Sequence, residues 1–280
     1  MPGMYLRTSL GESAPPARQR HAPGRRTTRR RSPESLVLIS GGPGLHDARD
    51  LQHDQSWANY VTPPLLLSRR ARAFAASAER RVSWLVYRPA YERRWADDLR
   101  RARTSSAALQ EVRRIRGLGF DSYTDLVEHR ARERNWRLLW FDSAEGFYTA
   151  LGAVPGPVSR LWFWGHARND LWMYVEHSQG VPGMRDGTAV SPPSDAVVTV
   201  GSISAHAALK PKFLEGGTHC FVGCSTMAFA QEWSRVFGVV ANGTSGTINF
   251  GRLSLTGGVP DLAPGVGWCR FSPPVRQPAP

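Results

Sequence analysis

Long apolar runs, cysteine and lysine are all scarce in this sequence of 280 residues. No run approaches the roughly 18 apolar residues that a membrane-spanning helix needs, so we expect no membrane span. Cysteine occurs three times, and a strand through Cys220 and Cys224 would hold their Cα atoms roughly 13 Å apart, too far for a disulfide. We therefore expect a reduced, cytoplasmic protein rather than a secreted fold held together by disulfides.

Arginine carries nearly all of the positive charge, since only Lys210 and Lys212 of the 36 basic residues are lysines. The formal net charge is +13, and residues 1–33 contribute +7 of it, through eight arginines against the single acid Glu12. This segment is rich in Pro, Ser and Thr and has little apolar area to bury, which is typical of disordered segments. We predict a disordered basic tail over residues 1–33 that could contact a polyanion.

The rest of the chain has the composition of a globular domain, and short apolar runs alternate with helical patterns along it. The pattern predicts strands over residues 35–40, 82–87, 136–141, 158–165, 171–176, 197–200, 218–223 and 239–241. Helices are predicted after Pro64 and over residues 91–116, 121–135, 143–151, 206–213 and 226–237. This alternation predicts a single α/β domain over residues 34–256, a three-layer sandwich with a mostly parallel sheet, followed by an irregular Pro/Gly-rich segment over 257–280.

Two candidate catalytic residues follow predicted strands. His166 comes directly after a strand in VSRLWFWGHARND, and Cys224 comes directly after another in THCFVGCSTM, with a helix behind it. The partial positive charge of a helix N-terminus favours a thiolate, and a neutral imidazole from a neighbouring strand end could accept the thiol proton. Each residue alone is more often structural than catalytic, whereas the two together indicate acyl transfer.

The stretch from about residue 135 to 250 resembles the core of the caspase-like cysteine peptidases (clan CD), especially the CHAT-type branch. The similar segments are NWRLLWFDSAEGFYTALGAVPGPVSRLWFWGH and GSISAHAALKPKFLEGGTHCFVGCSTMAFAQEWSRVFGVVANGTSG. The resemblance implies a caspase-like fold, His166 as the catalytic histidine and Cys224 as the nucleophile, with an oxyanion hole formed by the backbone N–H groups of Ala167 and Cys224. Ala167 stands where the family usually has glycine, and Ser225-Thr226-Met227 replaces its small or acidic residues.

A polar loop over residues 41–60 follows the first predicted strand and is expected to border the same site. Its acids Asp47, Asp50 and Asp54 could bind a basic side chain of a substrate. With the loop histidines they could instead hold a metal, although no recognised zinc spacing is present, or they could simply be solvated. The SGGPG motif of this loop is similar to the oxyanion loop of α/β-hydrolases, but the sequence lacks the complete Gly-x-Ser-x-Gly elbow that such enzymes need.

The function expected from these patterns is a hydrolase of the thiol protease type, a cysteine endopeptidase that acts on a protein or peptide substrate. No metal and no organic cofactor is implied. Two alternatives stay open: a catalytically inactive caspase-like adaptor or effector, and a binding protein whose basic tail contacts nucleic acid or an acidic partner. A Walker loop and the signatures of helix-turn-helix, zinc-finger and RNP proteins are absent from the sequence.

Overall fold

A computed structural model describes residues 33–43, 56–70, 81–168, 172–174, 194–250 and 261–273. The strands in these ranges are β1 (Ser35–Ser40), β2 (Arg81–Tyr87), β3 (Arg137–Phe141), β4 (Val158–Trp164), β5 (Ala167–Arg168), β6 (Trp172–Tyr174), β7 (Val197–Thr199), β8 (Phe213–Val222), β9 (Val240–Thr244), β10 (Ile248–Asn249), β11 (Asp261–Leu262) and β12 (Trp268–Phe271). The α-helices are α1 (Thr62–Arg70), α2 (Arg88–Arg101), α3 (Ser106–Gly117), α4 (Tyr123–Glu133), α5 (Ala144–Gly152), α6 (Val200–Ile203) and α7 (Met227–Phe237). Short 3-10 helices occupy Trp57–Tyr60, Ser194–Ala196 and Ser204–Lys212.

Seven strands form the central sheet, in the order β12-β9-β8-β4-β1-β2-β3. Every neighbouring pair is parallel except β12 and β9, which are antiparallel. Because parallel strands are joined by crossovers on the faces of the sheet, both faces need helices to cover them. Two smaller antiparallel sheets accompany the central one, β10 with β11 and β5-β6-β7.

One face of the sheet packs against α5 and α7. Alternation along β1 directs Val37 and Ile39 to this face. They join a buried apolar cluster to which α5 contributes Phe147 and α7 contributes Trp233, both with no exposed surface. The C-terminal end of α7 is closed by Gly238 at φ 71°, a conformation that glycine adopts without steric cost.

The opposite face packs against α2, α3 and α4. Leu38 of β1 points to this side, into a second buried cluster with Tyr91 of α2, Ile115 of α3 and Val127 of α4. The sheet therefore lies between two helical layers. The predicted three-layer α/β sandwich with a mostly parallel sheet is confirmed.

Serine caps account for where α3 and α4 begin. The side chain of Ser105 accepts a hydrogen bond from the backbone N–H of Ala108 at 3.4 Å, and Ser122 accepts one from Asp125 at 3.0 Å. The sequence pattern predicts one helix over residues 91–116, and this prediction is wrong. The chain leaves helical geometry after α2, and Ser105 starts α3 as a separate helix.

A polar cluster inside the second helical layer holds the Trp57–Tyr60 helix in place. The buried guanidinium of Arg94 pairs with Asp98 at 3.0 Å, and Tyr123 donates its hydroxyl to the same carboxylate at 2.6 Å. The ring of Trp57 stacks on Tyr123 with centroids 4.2 Å apart, and its N–H donates to Glu111. This helix is thereby fixed to α3 and α4.

The C-terminal part of the described chain completes one edge of the sheet. Residues 257–280 were predicted to be irregular, but Trp268–Phe271 form β12, which pairs with β9. Residues 1–32 of the predicted basic tail lie outside the described residues. Within the described ranges, no helix combines the length and the apolar character that crossing a bilayer would require.

Candidate active site

His166 and Cys224 follow the neighbouring parallel strands β4 and β8 at equivalent register positions. Trp164 at the end of β4 is paired with Val222 at the end of β8, so each candidate lies two residues beyond this pair. The N–H of Gly165 continues the ladder by donating to the carbonyl of Val222 at 3.3 Å. The carboxyl ends of parallel strands are where α/β sheets build their sites, and the structure brings the two predicted residues to one such edge.

Glycine at position 223 lets the two strand ends approach closely. A Cβ atom added there would lie 2.9 Å from the carbonyl oxygen of Gly165 and 2.9 Å from the Cβ of Ala167. Both distances are shorter than real Cβ atoms show. The backbone before Cys224 therefore lies directly against Gly165 and Ala167, the residues on either side of His166.

A sharp turn follows Cys224 before α7 begins. Ser225 has φ 53°, a left-handed conformation that is uncommon outside glycine and asparagine. The hydroxyl of Thr226 donates to the carbonyl of Phe221 at 2.8 Å and accepts from the N–H of Thr244 at 3.0 Å. The hydroxyl of Thr244 in turn donates to the carbonyl of Gly223. These side-chain bonds tie the turn that follows Cys224 to β8 and β9.

The thiol of Cys224 is mostly buried and contacts the backbone of β10. The N–H of Ile248 donates to Sγ at 3.5 Å, and the carbonyl oxygen of the same residue lies 4.0 Å from Sγ. Burial raises the pKa of Cys224, and the hydrogen bond from Ile248 lowers it by less. The expected thiolate, stabilised by the helix behind it, is not what this environment favours: at neutral pH the group is a thiol. The helix α7 begins only at Met227, three residues beyond Cys224.

His166 is buried and its ring nitrogen contacts a tyrosine. The hydroxyl of Tyr60 lies 2.8 Å from Nε2 of His166, and the two rings meet edge to face with centroids 5.2 Å apart. Tyr60 has no exposed surface and packs its other side against Phe250. Burial, the nearby Cys224 and Tyr91 all raise the pKa of Tyr60 well above its usual value, so its hydroxyl stays protonated.

Tyr60 is a site residue that the sequence patterns do not identify. The loop over residues 41–60 was judged by its acids and glycines, although Trp57 and Tyr60 are large aromatic residues in a polar stretch. Such residues indicate burial, but the segment was interpreted only as a polar loop, and this signal does not identify a contact with His166.

The predicted oxyanion donors lie on the two approaching segments. Ala167 begins β5 and is paired with Met173 of β6, while Cys224 follows Gly223. The next amide along the chain, that of Ser225, donates to the carbonyl of Gly246 at 2.9 Å. The Ser225 amide is therefore engaged by the protein itself.

The other two cysteines are free thiols with different surroundings. Alternation along β8 places Cys220 on the same face as Val222 and Cys224. Cys220 is buried, contacts the side-chain amide of Asn242 at 3.6 Å, and has its pKa raised to about 11 by burial. Cys269 lies on β12 and is partly exposed.

Asp47, Asp50 and Asp54, the expected substrate-binding acids, lie outside the described residues, as does the rest of the polar loop between 44 and 55. Within the described part of the chain, no group of three or more His, Cys, Asp or Glu side chains is arranged to hold a metal ion.

Comparison of the chain with protein-family models, with curated proteins and with solved structures finds no match. The resemblance to the caspase-like peptidases therefore rests on the sequence motifs alone.

Proposed function

We propose that the protein is a caspase-like cysteine endopeptidase in which Cys224 is the nucleophile and His166 is the general base and acid. The observation that carries this proposal is the register of β4 and β8, which sets both residues two positions beyond the Trp164–Val222 pair. A thiol and an imidazole delivered to one edge of a sheet are the two groups that covalent acyl transfer requires.

The state of the thiol defines what His166 does in this mechanism. Because burial raises the pKa of Cys224, the sulfur has to lose its proton as it attacks the substrate carbonyl carbon. His166 accepts that proton, and the carbonyl oxygen becomes an oxyanion held by the backbone N–H groups of Ala167 and Cys224. Collapse breaks the C–N bond, His166 protonates the leaving amine, and a thioester remains on Cys224.

Water completes the cycle. His166 accepts a proton from water as its oxygen attacks the thioester, the C–S bond breaks, and the proton passes to the departing sulfur. The free carboxylic acid product and the resting thiol result. This chemistry uses no metal and no organic cofactor, and its substrate is a protein or peptide.

An inactive adaptor or effector of the same type is the second candidate function. The observation that favours it is the engagement of the site by its own backbone: Ile248 donates to the sulfur of Cys224, and Gly246 accepts from the amide of Ser225. A partner-binding module would retain such contacts permanently, whereas an enzyme has to release Ile248 when substrate binds.

A thiol-directed acyloxymethyl ketone probe, read out by peptide-resolved mass spectrometry, tests both candidates on the folded full-length chain. We expect labelling of Cys224 in the wild type and in the matched control Cys220→Ala. Labelling should vanish in Cys224→Ala and fall about 100-fold in His166→Ala, as expected for loss of a general base. An unlabelled wild type, or labelling unaffected by His166→Ala, would favour the adaptor.

We propose a basic residue before the scissile bond, because the sequence of the polar loop contains three acids and only one basic residue, Arg49. A positional peptide library should show this preference in the wild type and its loss in at least one of Asp47→Asn, Asp50→Asn and Asp54→Asn. A preference for acidic residues would reject the assignment of this loop to the substrate pocket.

We also propose a cytoplasmic location and a polyanion contact through the tail over residues 1–33. Deleting the tail removes a net charge of +7 and should weaken retention on heparin, with retention falling steeply as salt is added. Retention that is unchanged by the deletion would reject the polyanion contact.

A further inference from the structure

One side of the candidate nucleophile is in contact with the chain segment over residues 245–250. Ile248 of this segment donates its backbone N–H to Sγ of Cys224 at 3.5 Å, and its carbonyl oxygen lies 4.0 Å from the same sulfur. Both backbone groups of one residue therefore face the thiol. A reacting carbon has to come within about 3.5 Å of the sulfur, and the backbone nitrogen of Ile248 already lies at that distance.

The same segment contacts the surroundings of both candidate catalytic residues. The carbonyl of Gly246 accepts a hydrogen bond at 2.9 Å from the N–H of Ser225, in the turn that follows Cys224. The ring of Phe250 meets Tyr60 edge to face, with centroids 5.0 Å apart, and Tyr60 is the residue beside the candidate histidine. The segment therefore extends from the turn after the cysteine to the aromatic ring next to the histidine.

Backbone pairing holds this segment to the chain that follows it. In the described residues β10 pairs with β11 over two residue pairs, in a sheet separate from the central one. The N–H of Ser245 donates to the carbonyl of Gly267 at 3.1 Å, and the N–H of Gly267 donates to the hydroxyl of Ser245 at 3.0 Å. Because an isolated two-stranded ribbon is only marginally stable in water, this pairing does not by itself keep the segment in place.

Two buried side chains supply a further attachment. Ile248 and Phe250 are each 6% exposed and belong to the second buried cluster, whereas Thr247 and Asn249 are exposed. Only alternate side chains of the segment are therefore anchored. A segment with few buried contacts opens locally at a lower free energy than the whole domain requires to unfold, and this segment has that character.

We propose that residues 245–250 form a strap with two states, a closed state in which the backbone of Ile248 blocks access to Cys224 and an open state in which the sulfur can be reached. The structure is that of the closed state. The inference rests on the proposed function for its meaning as control of an enzyme, but not for the accessibility of the thiol. A substrate that binds only the open state shifts the equilibrium toward it.

Opening of the strap changes the chemistry of the thiol as well as its accessibility. Burial is the largest of the effects that act on the pKa of Cys224, and it raises that pKa. Removing the cover returns the pKa toward its ordinary value and increases the thiolate fraction at neutral pH. The open state is therefore both the accessible and the reactive one.

The test compares the rates at which iodoacetamide alkylates Cys224 and Cys220 in the full-length protein, each divided by its rate in the urea-unfolded chain. Mass spectrometry of the cysteine-containing peptides measures both rates. Cys220 is buried on β8 and contacts Asn242, so its rate reports opening of the sheet itself. Ile248→Ala removes an anchor of the strap and keeps its backbone N–H. We expect a rise of about tenfold or more at Cys224 and no change at Cys220.

Ile115→Ala is the matched control. Ile115 is the same residue type in the same buried cluster, but it lies on α3. Its substitution should leave the rate at Cys224 unchanged relative to the rate at Cys220. Ser245→Ala is a milder second variant at an exposed position, which removes the hydroxyl that accepts from Gly267. It should raise the rate at Cys224 about two- to fivefold, and it decides the question alone if Ile248→Ala does not fold.

Three results overturn the strap: rates at Cys224 that are the same in the strap variants and the wild type, a rise that is equal at Cys224 and Cys220, or a selective rise that Ile115→Ala reproduces. The acyloxymethyl ketone separates this question from the proposed function. A selective rise in alkylation, in a protein whose Cys224 the ketone labels in neither the wild type nor Ile248→Ala, supports the strap and rejects the peptidase. Ketone labelling that requires His166 and is equally fast in both proteins overturns the strap and supports the peptidase.

Discussion

Gly165 and Gly223 face each other across the ends of two parallel strands, so closely that a Cβ atom at Gly223 would lie 2.9 Å from the carbonyl oxygen of Gly165. The carbonyl belongs to the backbone and cannot rotate away as a flexible side chain would. The spacing of His166 and Cys224 therefore depends on the absence of one methyl group.

Gly223→Ala should force these strand ends apart. We expect a loss of about 1–3 kcal/mol in the free energy of unfolding, the usual cost of inserting a methyl group into a well-packed site, measured by urea denaturation. Because the displacement lies between His166 and Cys224, labelling of Cys224 by the acyloxymethyl ketone should also fall.

Gly117→Ala is the matched control for this substitution. Gly117 ends α3, and an added Cβ would meet nothing within 4 Å. The change should be neutral or stabilise by up to about 1 kcal/mol through helix propensity. If Gly223→Ala were as stable and as well labelled as Gly117→Ala, the close approach would have no bearing on the site.

The left-handed backbone at Ser225 predicts a stabilising substitution. Ser225→Gly should raise the free energy of unfolding by about 0.5–1 kcal/mol, because glycine adopts φ 53° without the steric cost that a Cβ imposes. Ser225→Ala keeps that cost and serves as the control, with a change near zero. Thermal or urea unfolding measures both, and a Ser225→Gly protein less stable than Ser225→Ala would contradict the assigned strain.

The two cysteines of the Cys220–Cys224 segment should differ in reactivity. Burial raises the pKa of Cys220 to about 11, so Cys220→Ala should cost about 1 kcal/mol of stability and leave the proposed peptidase activity largely intact. Cys224→Ala should abolish activity while leaving the fold in place, as circular dichroism would verify. Equal loss of activity from both substitutions would contradict the assignment of Cys224 as the single nucleophile.

The pH dependence of alkylation follows from the same surroundings. Burial raises the pKa of Cys224, and the thiolate is the reactive form. The rate at which iodoacetamide alkylates Cys224 in the resting protein should therefore rise as the pH increases from 7 to 9. Mass spectrometry of each cysteine-containing peptide measures this rate. A rate that is already maximal at pH 7 would indicate a preformed thiolate and contradict the buried thiol.

Sequence patterns predicted the strands that carry His166 and Cys224, because apolar runs closed by Gly165 and Gly223 are strong local signals. The contact between His166 and Tyr60 was not predicted from the sequence. Tyr60 reaches His166 across 106 residues, from a loop without periodicity, and such a contact is decided by tertiary packing alone. β12 was missed for a related reason, since four residues in a Pro/Gly-rich stretch form a strand only where the edge of β9 pairs with them.

A buried histidine away from the site makes stability sensitive to acid. His219 has no exposed surface, and its Nδ1 accepts a hydrogen bond from the indole N–H of Trp233 at 2.8 Å. The opposite nitrogen, Nε2, is buried without a hydrogen-bond partner. Burial lowers the pKa of His219 to about 3, so the folded protein holds this ring neutral.

The unfolded chain takes up a proton on His219 near pH 6.5, well before the folded protein does. The free energy of unfolding therefore carries no penalty from His219 above about pH 6.5. As the pH falls from 6.5 toward 3, protonation of His219 in the unfolded chain lowers the free energy of unfolding by on the order of 1 kcal/mol for each pH unit. His219→Gln cannot take up this proton, and its free energy of unfolding should fall less steeply than the wild type's between pH 7 and 5 in urea titrations. His129→Gln, at a half-exposed position on α4, is the control and should follow the wild type more closely. If the free energy of unfolding fell equally steeply with pH in His219→Gln and in the wild type, His219 would have to be protonated within the fold. Its hydrogen bond from Trp233 could then not persist, because a protonated Nδ1 has no lone pair to accept it.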